Sequence, residues 1–205
     1  MFTGIVAAIG KITSISPLGA QSDAGVRLTI DAAGLSMQDV MLGDSIALNG
    51  ACMTVVAKNG TGFDVDVSRE SLNCTAGLDA FGEVNLEKAL TLADRLGGHL
   101  VSGHVDGLGR VQKFEPVGES WELVIAAPKN LAKYLAYKGS IVVNGVSLTV
   151  NRVIDTVDAC EFSINVIPHT IDVTTLKHLR VGTAVNLEID LIARYVERML
   201  SAAAT

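Results

Sequence analysis

The chain has 205 residues, enough for one large domain or two small ones, and 49% of them are hydrophobic against 19% charged, so a sizeable core can be buried. A formal net charge of −6 and the lack of any basic cluster exclude a surface built for nucleic acid or an anionic membrane. Three cysteines, Cys52, Cys74 and Cys160, without CxxC spacing argue against a disulfide framework or a zinc site and for a reducing cytoplasm.

The first twelve residues, MFTGIVAAIGKI, are apolar but have no positive leading stretch and are broken by glycines, so they do not read as a signal peptide. No apolar run reaches the roughly 18 residues of a membrane-spanning helix. Short β-type runs then follow at 4–12, 26–31, 45–48, 53–57, 62–67 and 82–87, with Asn59-Gly60 as a hairpin turn. A second set follows at 105–113, 121–126, 140–143, 148–153, 160–166 and 183–190. LSMQDVM (35–41) and KNLAKYLAY (129–137) read as short peripheral helices at equivalent places. A linker runs through 86–96 and ends at Gly97-Gly98. The tail 191–204 changes period: Leu191, Ile192, Tyr195, Val196, Met199 and Leu200 form one apolar stripe opposite Arg194, Glu197 and Arg198, an amphipathic helix.

The two sets of strands are one pattern written twice. GDSIALNGACMTV (43–55) matches KGSIVVNGVSLTV (138–150) at an offset of 95. FDVDVSRES (63–71) matches FSINVIPHT (162–170), and Val84–Glu87 matches Val185–Glu188. A unit of about 100 residues is too long for a solenoid repeat, so each copy is a domain with its own core. Six short strands per copy suggest a small closed antiparallel barrel, because closure removes exposed edges. The expected architecture is all-β: barrels at 1–97 and 98–190 and a helix at 191–205. The helix lies outside both repeats; it packs on its own domain or, as we prefer, holds several chains together.

Where the copies differ, a chemical task can have been divided. Cys52 faces Ser147, Gly43 faces Lys138, Glu70 faces His169, Ser71 faces Thr170, Ile5 faces His104 and Ala89 faces Asp190. Cys52 and Ser147 each follow Asn-Gly by two residues and precede Thr-Val, so both occupy one turn-to-strand junction. A thiol and a hydroxyl there are a nucleophile or polar gate in paired sites, or two small residues filling a tight corner. One of His99 and His104 can serve as a hydrogen-bonding or acid/base group, and His99 reads more as a structural histidine; neither has a third metal ligand nearby. Lys138 is a solvated turn lysine or a site cation, and Asp190 a helix N-cap or a catalytic carboxylate. No strand–GxGxxG–helix unit supports a dinucleotide fold.

MFTGIV, LNGACMTV, GGHLVSGHVDG, YKGSIVVNGVSLTV, INVIPHT and VNLEID, in this order over essentially the whole chain, resemble the riboflavin synthase alpha-chain family. The resemblance implies two Greek-key barrels with a C-terminal helix, assembled as a homotrimer with the reaction between barrels of neighbouring subunits. It implies dismutation of two molecules of 6,7-dimethyl-8-ribityllumazine to riboflavin and 5-amino-6-(ribitylamino)uracil, with no cofactor and no metal. Lumazine synthase is a candidate further partner. Catalytic positions carry over to Cys52, His104, Ser147 and Asp190. Binding positions in the first copy carry over to Phe2, Gly4, Ile5, Val6, Ser45, Cys52, Met53, Thr54, Asp66, Val67, Ser68, Arg69, Glu70 and Ser71. In the second they carry over to Gly103, His104, Val105, Lys138, Ser147, Leu148, Thr149, Val166, Ile167, Pro168, His169, Thr170 and Ile171. Departures are small: Ala51 stands where some members have a second cysteine, Asn144 where some have Asp, Ser71 where Thr is common and Met53 where Leu is usual. A non-catalytic lumazine- or flavin-binding protein on the same scaffold is the alternative reading.

Overall fold

The computed structural model describes residues 1–21 and 23–203. The first copy contains β1 (Ala8–Pro17), β2 (Val26–Asp31), β3 (Ser45–Leu48), β4 (Ala51–Lys58), β5 (Gly62–Val67) and β6 (Gly82–Lys88). The second contains β7 (Gly107–Val117), β8 (Ser120–Pro128), β9 (Ser140–Val143), β10 (Val146–Asp155), β11 (Ala159–Val166) and β12 (Ala184–Ile189). Each set closes into an antiparallel barrel, in the order β1-β2-β5-β4-β3-β6 and, correspondingly, β7-β8-β11-β10-β9-β12. Short helices α1 (Arg69–Cys74) and α2 (Pro168–Val173) follow β5 and β11, and α3 (Leu191–Ala203) ends the described chain.

Alternation gives strands such as β4 and β5 one buried face, whereas β3, β6, β9 and β12 are buried along continuous runs. In β5, Phe63, Val65 and Val67 are fully buried while Asp66 faces out; each buried side chain contributes about 1.5–3 kcal/mol by leaving water. The residues that read as a helix at 35–41 form no helix. The ammonium of Lys58 takes the Met37 and Val40 carbonyls and that of Lys88 takes the Ser36 carbonyl, so oxygens that would accept helical N–H bonds are engaged elsewhere. The 129–137 segment forms a single 3-10 stretch, Lys129–Tyr134.

The barrels meet around a pseudo-twofold centre. The Asn49-Gly50 and Asn144-Gly145 turns lie back to back, so a Cβ added at Gly50 would sit 2.8 Å from the Gly145 nitrogen, and the reverse contact is also 2.8 Å. Both Asn-Gly pairs have positive φ, at 45° and 84° and at 48° and 82°, as hairpin turns of this sequence require. The amide of Asn85 donates to the Asn144 carbonyl (2.8 Å) and that of Asn186 to the Asn49 carbonyl (2.9 Å), so each barrel's last strand is tied to the other's turn. Phe2 pairs with its own counterpart, Val101, and these two residues, Ala47 and Val142 form a small core between the barrels.

Candidate active site

Two segments leave their own barrel and dock on the other. From the N-terminal segment, the Gly4 carbonyl accepts the Ser147 N–H at 2.7 Å and Val6 packs against the second core. From the central segment, the Gly103 carbonyl accepts the Cys52 N–H at 2.8 Å and Val105 packs against the first core. Both glycines have positive φ, 75° and 79°, and a Cβ on Gly4 would fall 2.6 Å from the Ser147 Cβ, one on Gly103 2.7 Å from the Cys52 Cβ. Close main-chain approach therefore requires glycine at both places.

A buried glutamate holds each segment. On β6, Glu87 Oε1 accepts the N–H and hydroxyl of Thr3 (2.6 and 2.7 Å), and Oε2 accepts the Gly4 N–H (2.9 Å). On β12, Glu188 Oε1 accepts the N–H and hydroxyl of Ser102 (2.6 and 2.7 Å), and Oε2 the N–H groups of Gly103 (2.9 Å) and His104 (3.0 Å). Burial pushes both carboxyls above the ordinary glutamate range, and the converging donors pull them part of the way back.

Cys52 and Thr54 point outward from β4 and Ser147 and Thr149 from β10, so the two candidate sites have matched floors. The register Val55↔Val65 carries the end of β5 and α1, with Asp66, Ser68, Arg69, Glu70 and Ser71, towards Met53. Val150↔Ile164 carries Ile167, Pro168, His169 and Thr170 towards Leu148. Met53, Val67, Val166 and Ile171 turn their side chains into the barrel cores, so only their main chain is presented outward. Asp66 is ion-paired with Arg27 at 2.7 Å, which holds its carboxyl below the usual range. Ser68 caps α1, its Oγ accepting the Ser71 N–H. Ser45 and Ile5 line a cavity of about 660 Å³ with Thr3, Glu87, Ala89 and Gly97, a volume within the range of small-molecule pockets.

His99 is the residue that the sequence reading left as structural. Its Nδ1 lies 2.7 Å from the Ser147 Oγ, and its buried Nε2 has no protein partner among the described residues. Burial lowers its pKa, and the nearby charge of Asp190 raises it by a lesser amount. Asp190 caps α3, accepting the Ile192 N–H at 2.8 Å, so the N-cap reading of this residue holds and its charge still reaches the site. Lys138 sits at φ 64° where Gly43 has φ 93°, and its ammonium donates to the Asn151 side chain at 3.0 Å; strain at a non-glycine residue accompanies a local demand. His104 is exposed and belongs to the second copy by sequence, yet its segment docks beside Cys52 of the first.

Two closed barrels of one topology, each with a polar outer face completed by a segment from the other, define a duplicated two-site ligand-binding protein. The lumazine binding domain matches residues 3–89 and again 102–190. Riboflavin synthase of Photobacterium phosphoreum is 44% identical over 202 residues, covering 98% of this chain and 89% of the relative. That of Mycobacterium bovis is 42% identical over 213 residues, covering 99% and 100%. LumP complexed with riboflavin superposes with a TM-score of 0.77 at 28% identity, over 92% of this chain and 99% of LumP. LumP complexed with 6,7-dimethyl-8-(1'-D-ribityl) lumazine gives 0.75 at 25%, over 92% and 99%. The chain belongs to the riboflavin synthase family of lumazine-binding-domain proteins and is an enzyme of that kind.

Proposed function

We propose that the protein converts two molecules of 6,7-dimethyl-8-ribityllumazine into riboflavin and 5-amino-6-(ribitylamino)uracil by moving a four-carbon unit between them. The reaction is balanced without an oxidant, so it asks for two pockets holding the same molecule in different chemical roles. The observation that carries this reading is the duplicated site in two versions, one with Cys52 and the other with Ser147 hydrogen-bonded to His99. The lumazine C7 methyl is acidic because its anion delocalises into the ring. Ser147 relays that proton to His99, which burial keeps neutral, and the Asp190 carboxylate favours the imidazolium that results. The partner lumazine is attacked at C7 by water, the Cys52 thiol or a neighbouring hydroxyl. Holding two ring systems in register supplies up to roughly 7–11 kcal/mol of the barrier.

We assign residues 1–97 and 98–190 as the two lumazine-binding units and 191–205 as the oligomerisation segment of a cytoplasmic homotrimer. Ile192, Tyr195, Val196, Met199 and Leu200 on α3 are between 49% and 72% exposed, an unpartnered apolar stripe that supports association. No described helix is long and apolar enough to cross a membrane. Lumazine synthase is a candidate partner. The likeness to LumP favours one competing reading, a protein that holds lumazine without turning it over. Incubation of the purified chain with 6,7-dimethyl-8-ribityllumazine alone decides between them. Riboflavin appearing as two lumazines are consumed per molecule formed supports the enzyme; tight binding without riboflavin supports the binder.

A further inference from the structure

The connection from each buried glutamate runs to the opposite barrel. Glu87 belongs to the first barrel, but the Gly4 N–H it accepts is one atom group away from the Gly4 carbonyl that accepts the Ser147 N–H. Glu188 belongs to the second, and the Gly103 it holds accepts the Cys52 N–H. Every partner of either carboxylate is a donor, so both oxygens of both glutamates are needed as acceptors. We propose that Glu87 and Glu188 are crossed positioning residues: Glu87 sets the position of Ser147, and Glu188 that of Cys52. Neither touches the substrate in this scheme; each acts through the segment it clamps. The shared geometry makes each site depend on the barrel that does not contain its reactive residue, which couples the two halves.

The proposal rests on Cys52 and Ser147 being site positions, but its test needs no turnover. Alkylation by iodoacetamide, followed residue by residue in the peptide mass spectrum, reports on Cys52. Exposed Cys74 serves as the reagent reference and fully buried Cys160 as the reporter of global loosening. A Ser147→Cys background puts the same probe in the second site. Glu188→Gln should change the Cys52 rate at least threefold with Cys160 still protected, while Glu87→Gln leaves Cys52 within experimental error. In the Ser147→Cys background the dependence should reverse. Should a glutamine variant fail to fold, Ser102→Ala and Thr3→Val each remove one donor from the same clamps and should give the same crossed pattern more weakly. Equal responses of each thiol to both clamps, a response confined to the glutamate's own barrel, or no response to any of the four substitutions overturns the proposal. If the crossed pattern holds while no riboflavin is formed, the clamp stands and the catalytic reading fails.

Discussion

Gly103→Ala is the most demanding test of the docked segments. The added Cβ would stand 2.7 Å from the Cys52 Cβ and 2.8 Å from the Phe2 ring, at a position whose φ is 79°. Left-handed backbone costs alanine about 1–2 kcal/mol. Overpacking adds about 1–3 kcal/mol, because neither obstacle can yield: one is fixed to β4 and the other is a fully buried ring. The sum, about 2–5 kcal/mol, lowers Tm by roughly 4–20 °C for a chain of this size. Ordinary contact begins near 3.4 Å, so the segment has to retreat about 0.7 Å from 2.7 Å. A misplacement of that order costs about tenfold to a hundredfold in rate. Gly118→Ala is the control: its φ is 61° and nothing lies within 4 Å of the added atom, so only the backbone cost of about 1–2 kcal/mol applies. Thermal unfolding and riboflavin formation are measured for both variants. If Gly103→Ala is no less stable than Gly118→Ala and turns over at full rate, the close approach of this segment to Cys52 is wrong.

His99→Ala should lower kcat about a hundredfold while lumazine binding, read by fluorescence, persists. Because burial lowers the His99 pKa and the neutral ring is the working form, the wild-type rate should be lost on acidification only below about pH 6.5; an acid limb above that value counts against His99 as the base. Cys52→Ser should retain more activity than Cys52→Ala because a hydrogen-bonding group survives, and Ser147→Ala should also slow turnover. Full rates with lowered stability in both alanine variants would make the two residues corner-fillers. Val196→Glu with Met199→Glu should yield smaller species in sedimentation and lower activity with them, whereas unchanged sedimentation removes α3 from the assembly.

The barrels were readable because alternation, turn residues and duplication all pointed one way; β2, β3, β5 and β9 have the expected limits. The expected strands at 4–12 and 105–113 start later, at Ala8 and Gly107, because Gly4–Val6 and Gly103–Val105 are drawn away to the opposite barrel. No local pattern carries that information. The helix expected at 35–41 failed for a related reason, since two lysines 17 or more residues downstream take its carbonyls. Helices α1 and α2 span six residues each, too few to show a period, although Ser68 and Pro168 stand where an N-cap and an N1 proline belong. The sequence marks His99 only as a structural histidine because its partner is 48 residues away and it has no matching residue in the other copy.

The repeat differences gain a sharper meaning from the crossing. Aligned by sequence, lysine, serine, histidine and carboxylate all fall to the second copy, which suggests one elaborate site and one plain one. Aligned by contact, His104 comes to the Cys52 side, while Ser147 is left with His99 and the charge of Asp190. In the proposed sites, Cys52 thus neighbours a segment that carries His104 and Ser147 bonds His99, each histidine lying outside the strand that holds its partner. What the copies share is the frame: the asparagines at the turns, the two glutamates, the two glycines of close approach. Conformational demands of the fold fall on the matched residues, so a frame with near-twofold symmetry leaves the unmatched ones free to differ; under the proposed function, those are the groups that meet two identical molecules in different roles.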